Sequence, residues 1–290
     1  AAYIAWGFLP LYWKLLKQVP ADQIIAHRIV WSFIFVVGLL AGYKNLGTLR
    51  EAIKDRKKLI LISLCSVLIT INWFTYIWAV NAGHIVDASM GYYVNPLMSV
   101  LLGIFVLKER MNAIQYAAIA LAAAGVLIVA VEYGKIPWIA LTLAVSFALY
   151  GLIKKMVNVE SLTGLGLETA ILTPFALIYM LYCQGKGIGA FGSLSLPLTL
   201  LLLCAGVATA TPLLWFAKAA RSVELTTIGF LQYMSPTISL ALGIFVYREA
   251  FTAEHFISFG FIWAALVLYS LSHVGVFRKT AYFSRTPHTD

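Results

Sequence analysis

NPLMSVLLGIFVLKER, residues 95–110, decides the architecture of this chain, because it occurs twice. It returns 140 residues later as SPTISLALGIFVYREA, residues 235–250, and eight of the 16 aligned positions are identical. Two apolar segments would share roughly one or two positions by composition alone. The same offset pairs Tyr93 with Tyr233. A period of 140 residues is far longer than the unit of a solenoid, so each copy marks one half of the protein.

The composition indicates the solvent in which the chain folds. Of its 290 residues, 61% are hydrophobic and 11% are charged, whereas about a quarter of a soluble domain is charged. One globule of this size cannot hide so much apolar surface from water. We therefore predict a polytopic membrane protein.

Ten apolar runs approach the roughly 20 residues that cross the hydrocarbon layer as a helix. They are continuous and lack the period-two alternation of barrel strands, so the predicted fold class is all-α with ten transmembrane helices. The predicted spans are Ala1–Leu16, Ile24–Tyr43, Leu59–Val80, Ile85–Leu107, Asn112–Val131, Pro137–Ile153, Leu162–Cys183, Leu196–Ala217, Leu225–Tyr247 and Thr252–His273.

Five spans in each half is an odd number, so the second half must cross the membrane in the opposite sense to the first. We predict an inverted-topology repeat, as in many secondary transporters. Residues 1–133 form the first repeat, residues 134–275 the second, and residues 276–290 a basic cytoplasmic tail.

Lysine and arginine are distributed unevenly between the predicted loops. Loops of one parity hold 15 of them and loops of the opposite parity hold five, with Arg28 inside a span. Because cytoplasmic loops carry such an excess, both termini are predicted to be cytoplasmic. The net charge of +9 reflects this bias and attraction to anionic lipid, so a nucleic-acid partner is not expected.

Ionisable side chains at membrane depth are costly, which makes them candidates for a functional site. Arg28 either binds a ligand or closes a gate, or else it extends to the interface. His27 points about 100° away around the helix and is either a site residue or a packing residue. Glu168, the carboxylate well inside a span, lies roughly 14 Å from the level of Arg28. We expect no direct ion pair between them, and a lone, desolvated Glu168 could carry a coupled proton.

Prolines interrupt the spans at equivalent positions of the two repeats. Pro96 and Pro236 each remove a backbone donor, and they are either paired kinks beside a substrate path or packing features. Trp13 and Trp138 are expected to face lipid in the interfacial aromatic belts. Three further tryptophans, Trp6, Trp73 and Trp215, either form stacking walls or face lipid. Residues at comparable depth that would supply hydrogen-bond donors and acceptors are Asn72, Tyr92, Asn95, Gln232 and Tyr233.

Three local patterns are interpreted as structural. Glu109 and its counterpart Glu249 end the repeated segments and are interpreted as helix-capping residues. A reciprocal N-cap pair is predicted for Asn112 and Gln115 at the start of the fifth span. The small residues Gly38 and Gly42, with the Ala-rich fifth span, predict close helix packing. The three cysteines show no metal-ligand or disulfide spacing, so we expect no metal and no cofactor.

Distinctive polar motifs in the first half resemble a known family. The chain is similar to the RarD family, in the EamA branch of the drug/metabolite transporter superfamily. That resemblance implies a ten-helix, exporter-type permease of the bacterial inner membrane; it implies no particular substrate. The motifs are Pro20-Ala21-Asp22-Gln23, His27-Arg28, Trp31-Ser32, Asn72-Trp73, Trp78-Ala79-Val80-Asn81 and Asn95-Pro96-Leu97.

Two classes of function are open at this point. The first is a secondary-active transporter of small metabolites or amphipathic, drug-like compounds that works by alternating access as a monomer or homodimer, with protons as the candidate coupling ion. The alternative is an intramembrane enzyme acting on a lipid or isoprenoid substrate. Such enzymes usually cluster carboxylates or histidines around metal or diphosphate, and the sequence shows no such cluster. We therefore predict a transporter and not an enzyme.

The predicted orientation can be tested by thiol labelling in intact cells. A cysteine at Lys57 should be shielded from a membrane-impermeant maleimide, and one at Gln18 should be labelled, because the two positions lie in loops of opposite parity. The unaltered chain gives the background from Cys65, Cys183 and Cys204. The opposite labelling pattern would reverse the orientation.

Overall fold

A computed structural model describes residues 1–43, 46–81, 85–133, 138–157, 159–246 and 253–273. Within these ranges the protein has twelve α-helices and no strand. The predicted tail at 276–290, the boundary between the predicted halves at 134–137, and Glu249 lie outside them. The helices are α1 (Ala2–Leu15), α2 (Ala21–Gly42), α3 (Leu46–Lys54), α4 (Arg56–Asn81), α5 (Ile85–Phe105), α6 (Ala113–Tyr133), α7 (Trp138–Met156), α8 (Ser161–Gly185), α9 (Leu196–Ser222), α10 (Leu225–Gln232), α11 (Met234–Phe245) and α12 (Ala253–His273).

Five of these helices are long and apolar enough to cross a membrane: α2, α4 over Arg56–Tyr76, α7, α8 and α9. Shorter apolar stretches lie at Gly91–Phe105 in α5, Ala113–Ile128 in α6 and Phe259–Ser272 in α12. Their outward faces carry exposed Leu, Ile, Val and Phe side chains, which a lipid environment tolerates and water does not. The predicted class, an all-helical membrane protein, is confirmed.

The two copies of the repeated segment differ in their backbone. In the first copy, α5 continues as one helix through Pro96. In the second copy the chain breaks at Tyr233, where α10 ends and α11 begins. Pro236 then lies in the first turn of α11, where the absence of an N–H leaves no intrahelical bond unmade. Paired kinks at the two prolines were predicted; the helix is interrupted three residues before Pro236 and continues through Pro96.

Side-chain caps start two of the helices. The Asp55 carboxylate accepts hydrogen bonds from the backbone N–H groups of Lys57 and Lys58, each 3.1 Å long, at the start of α4. These bonds, the one from Lys58 foremost, hold the pKa of Asp55 below its ordinary value. At the start of α6, the Gln115 N–H donates to Asn112 over 2.9 Å and the Asn112 N–H donates to Gln115 over 2.8 Å. The predicted reciprocal cap is confirmed.

Glu109 caps a helix that is distant from it in sequence. Its two carboxylate oxygens accept hydrogen bonds from the backbone N–H groups of Leu225 (2.7 Å) and Thr226 (2.9 Å), in the first turn of α10. The Lys155 ammonium lies 3.6 Å from the same carboxylate. A carboxylate at a helix N-terminus satisfies unpaired donors and complements the helix dipole. Glu109 therefore joins the end of the first repeated segment to the start of α10.

Two other glycines provide the close approach that Gly38 and Gly42 were predicted to provide. A Cβ placed on Gly38 or Gly42 would meet no described atom within 4 Å. On Gly206 of α9, a Cβ would lie under 3.0 Å from backbone atoms of Trp31 and Ser32 in α2. On Gly229 of α10, it would lie 2.7 Å from the Pro96 carbonyl oxygen. The assignment of close packing to Gly38 and Gly42 is therefore wrong, since the α2–α9 and α5–α10 crossings depend on glycines of the second half.

Alanine substitutions should separate these two kinds of glycine. Gly206→Ala should lower the Tm of the purified protein by about 5 °C or more, because the backbone of α2 cannot move away locally. Gly38→Ala, the matched control in α2, should leave the Tm unchanged or raise it, because alanine favours the helix. Thermal unfolding in detergent measures both. Equal shifts for the two variants would contradict the close α2–α9 crossing.

Candidate functional site

A cavity of about 520 Å³ opens between the helices. Side chains from α1, α2, α4, α5, α7, α9, α10 and α11 line it, so it is bounded by both halves of the chain. Its volume lies in the range of small-molecule sites. The lining residues are Tyr3, Trp6, Leu9, Pro10, Trp13, Arg28, Asn72, Trp73, Tyr76, Gly91, Tyr92, Tyr93, Asn95, Leu143, Phe147, Thr209, Leu213, Gln232, Ser235, Pro236, Ser239 and Leu240.

Arg28 is the charged side chain among these lining residues. Its guanidinium carbon lies 4.7 Å from the ring centroid of Trp13 and 4.7 Å from that of Trp73. Its Nε donates a hydrogen bond of 2.9 Å to the Thr209 hydroxyl. Cation–π contacts and this hydrogen bond hold the cation inside the protein, where a charge would otherwise be costly. Arg28 therefore lines the cavity instead of extending to the interface.

Amide groups supply further polarity, and some of their hydrogen-bonding capacity is unused. The Asn72 amide donates to the Leu143 carbonyl (2.8 Å) and to the Ser146 hydroxyl (3.0 Å), which fixes its position. The Asn95 side-chain oxygen is buried and has no hydrogen-bond partner in the described part of the chain, and the same is true of the Tyr3 hydroxyl. Buried polar atoms of this kind are rare and call for an explanation.

Aromatic rings form much of the remaining wall. Trp6 lies 5.5 Å from Tyr3 and 5.7 Å from Phe147, between ring centroids. Tyr76 and Tyr92 meet edge to face at 6.0 Å. These separations are typical of favourable aromatic pairs. The cavity thus combines one cation, several amides and flat apolar surfaces.

The cavity brings together eight of the thirteen candidate residues singled out from the sequence: Trp6, Arg28, Asn72, Trp73, Tyr92, Asn95, Gln232 and Pro236.

The other five lie outside it: His27, Pro96, Glu168, Trp215 and Tyr233. The buried His27 ring stacks on Phe191, with 5.3 Å between the ring centroids, and its Nδ1 accepts a hydrogen bond from the Trp31 indole N–H. His27 therefore packs against the loop between α8 and α9. Tyr233 is buried, and its hydroxyl donates to the backbone oxygen of Tyr93, its counterpart in the other repeat, over 3.3 Å. The Pro96 carbonyl faces Gly229.

Glu168 is part of an ion pair, which corrects the expectation of a lone carboxylate. It pairs with Lys154 of α7, and the Tyr150 hydroxyl donates to its second oxygen over 3.2 Å. Glu168 is 2% exposed and Lys154 is 7% exposed. Lys154 is one of the 15 cations that the sequence analysis places in the predicted cytoplasmic loops, and the structure buries it instead. Arg28 and Glu168 do not pair with each other, as their predicted depths require.

Trp13 was also assigned wrongly from the sequence. It was expected to face lipid, and instead it covers one face of Arg28. For Trp215 the sequence left a stacking wall and a lipid-facing position open, and its side chain is 45% exposed and does not line the cavity. Nothing in the sequence indicated that Thr209 is a site residue, except its position near the Thr211-Pro212 pair inside a span. These helices are apolar on all sides, so the sequence does not show which face a tryptophan or threonine occupies. The packing of neighbouring helices decides it.

The motif residue Gln23 has a structural role at the start of α2. Its amide donates to the Ile188 carbonyl (2.8 Å), and its oxygen accepts from the Ala190 N–H (2.7 Å), so it pairs with the loop between α8 and α9. The neighbouring Asp22 accepts a hydrogen bond from Tyr179 of α8. These motif residues tie α2 to α8 and its following loop, in the region that holds His27.

Comparison with solved structures shows that the fold is a known one. A protein solved by crystallography matches with a TM-score of 0.71 and 18% identity, over 93% of this chain and 94% of that chain. At this identity the likeness concerns the fold alone.

Comparison with sequences shows the family. Residues 1–131 match the EamA-like transporter family. The "Uncharacterized transporter YojE" of Bacillus subtilis is 49% identical over 94% of this chain and 92% of its own length. "Protein RarD" of Salmonella typhi is 43% identical, and that of Escherichia coli 41%, each covering 95% of its own length. The chain belongs to the RarD family of EamA-like membrane transporters.

Proposed function

We propose that the protein is a secondary-active transporter of small metabolites or amphipathic, drug-like compounds, and that the central cavity is its substrate site. The observation that carries this proposal is the 520 Å³ cavity with Arg28 inside it. Ionisable residues in the interior of a membrane protein commonly mark a substrate path. A permease that works by alternating access opens such a site first to one side of the membrane and then to the other.

We further propose that ten spans form two inverted halves, with α10 and α11 as one broken span. When 140 is added to the residue numbers, α5 (85–105) coincides with the stretch of α10 and α11 (225–245), and α6 (113–133) coincides with α12 (253–273). Helix contacts repeat under the same offset. The α5–α7 contact has its counterpart in α11–α1, and the α2–α9 contact in α8–α4. Equivalent helices also pack on each other, as in α2–α8, α5–α10 and α6–α12. This pattern is that expected of a pseudo-two-fold axis between the halves.

The proposed orientation follows the positive-inside rule, with both termini in the cytoplasm and the chain in a bacterial inner membrane. In that orientation, the Glu109 cap on α10 closes the cytoplasmic side of the crossing between α5 and α10. Opening that side would require the α10 N-terminus to leave the Glu109 carboxylate. The protein is proposed to act as a monomer or homodimer.

Transport itself can be tested by counterflow in proteoliposomes that contain the purified protein and pooled candidate metabolites. Arg28→Ala should abolish counterflow of a transported compound. Arg28→Lys should keep only a fraction, because a point charge replaces neither the planar fork nor its stacking on Trp13 and Trp73. The control Lys57→Ala removes an exposed cation and should transport normally. Unchanged counterflow in Arg28→Ala would reject the cavity as the substrate site.

We propose that Glu168 carries the coupled proton, together with Lys154. The Tyr150 ring, which donates to Glu168, lies 5.9 Å from Phe147, and Phe147 lines the cavity. The ion pair is thus separated from the substrate site by one aromatic layer. Protonation of Glu168 would leave Lys154 as a buried, unpaired cation, which is strongly unfavourable. Proton binding and a rearrangement around α7 and α8 would therefore occur together.

Two variants separate this coupling role from a structural one. Glu168→Gln should stop accumulation driven by a pH gradient but permit substrate exchange, because the titrating group is lost. It also leaves Lys154 unpaired, so stability should fall by about 3–5 kcal/mol. The control pairs Glu168→Gln with Lys154→Met and removes both buried charges. Recovery of pH-driven accumulation in this double variant would show that the ion pair only stabilises the fold.

A further inference from the structure

We infer that the cavity binds organic monoanions: flat compounds with a carboxylate that pairs with Arg28 and an O–H or N–H group that donates to Asn95. This inference rests on the proposed function, whose substrate class it names. Three features of the lining carry it: the part of the Arg28 guanidinium that the protein leaves free, an amide oxygen without a donor, and the aromatic walls.

The guanidinium of Arg28 lines the cavity and has hydrogen-bond donors that the described residues do not use. Its central carbon lies 4.7 Å from the ring centroids of both Trp13 and Trp73, and its Nε donates a hydrogen bond to Thr209. The two terminal nitrogens have no hydrogen-bond or carboxylate partner among the described residues. A planar fork with two free N–H donors matches a carboxylate, which can accept both bonds in the same plane. A ligand anion would also neutralise a cation that the described lining leaves unpaired.

Asn95 indicates a second polar point on the ligand. The residue is 7% exposed, lines the cavity, and its amide oxygen has no partner within the described ranges. A buried acceptor without a donor destabilises the protein, so a donor supplied by the ligand would be favourable. The Tyr3 hydroxyl, also in the lining and without a described partner, can accept or donate. It stands ten residues before Trp13 on α1, roughly 15 Å along the helix axis. The lining thus offers polar groups both near Arg28 and farther from it.

The surfaces between these polar points are suited to a flat apolar body. Trp6, Phe147 and the edge-to-face pair of Tyr76 and Tyr92 present ring faces and edges to the cavity. Stacking on rings is favourable for an aromatic or conjugated ligand. Among the described lining residues no carboxylate is available for a ligand ammonium. A monoanion therefore matches the described lining better than an amine or a zwitterion.

Equilibrium binding of five related compounds to the purified protein in nanodiscs tests the inference. The compounds are 4-hydroxyphenylacetate, its neutral amide 4-hydroxyphenylacetamide, phenylacetate, tyramine and tyrosine. We expect 4-hydroxyphenylacetate to bind most tightly. The amide and tyramine should bind at least about tenfold more weakly because they cannot form the charged pair with Arg28. Phenylacetate should bind several-fold more weakly, because it has no hydroxyl to donate a hydrogen bond to Asn95.

Two cavity variants assign each preference to its residue. Arg28→Gln should abolish the preference for the acid over the amide, and the control Lys57→Gln should keep it. Asn95→Leu should abolish the preference for 4-hydroxyphenylacetate over phenylacetate while the preference for acid over amide remains. A melting curve of each variant verifies that it is folded. An Arg28→Gln protein that still prefers the acid would overturn the assignment.

The remaining outcomes separate this inference from the proposed function. If the amide, tyramine or tyrosine binds as tightly as 4-hydroxyphenylacetate, or if none of the five compounds binds, the monoanion class is wrong. Counterflow of a neutral compound or an amine would then still support transport. If the acid binds selectively but no compound shows counterflow in proteoliposomes, the ligand class stands and the transporter assignment fails.

Discussion

In hydrocarbon a charged or backbone polar group must find its partner within the protein, and this constraint determines how the helices of this chain meet. Lys154 of α7 and Glu168 of α8 neutralise each other at a buried contact. Glu109, at the end of the first repeated segment, satisfies the free N–H groups of α10. Arg28 is held by two indole rings and a threonine from three other helices. Each of these groups would destabilise the protein if it were left without a partner, and its contacts join distant parts of the chain.

The same constraint separates structural polarity from polarity that a ligand can use. Both carboxylate oxygens of Glu109, and both the amide N–H and the oxygen of Gln23, have hydrogen-bond partners in the protein. The terminal nitrogens of Arg28 and the amide oxygen of Asn95 do not, within the described residues, and both residues line the cavity. Unused capacity gathered in one place is what distinguishes a binding site from a packed polar core. The positions of the unpartnered atoms, more than the size of the cavity, give the site its chemical character.

Close approach of backbones complements this polar bonding. Gly229 allows α10 to lie against the Pro96 carbonyl, and Gly206 allows α9 to lie against α2. Small residues at such crossings let membrane helices gain dispersion energy where no hydrophobic driving force exists between them. The crossing of α5 and α10 brings repeated segments together, so that Tyr233 bonds to the backbone of Tyr93. The break at Tyr233 lies beside this crossing and beside the cavity residues Gln232 and Pro236.

The sequence by itself determined the membrane class, the helical fold, the repeated segment and the Asn112–Gln115 cap, because these follow from composition, run length, spacing and local hydrogen bonding. The resemblance of its polar motifs indicated the family. The sequence also singled out Arg28, since an arginine in an apolar run is costly wherever it points. Only the tertiary structure decided that Trp13 covers Arg28 instead of facing lipid, that Lys154 is buried against Glu168, and that Gly206 rather than Gly38 permits close packing. Apolar residues surround each of these helices, so periodicity does not mark the inward face, and only contact with neighbouring helices does.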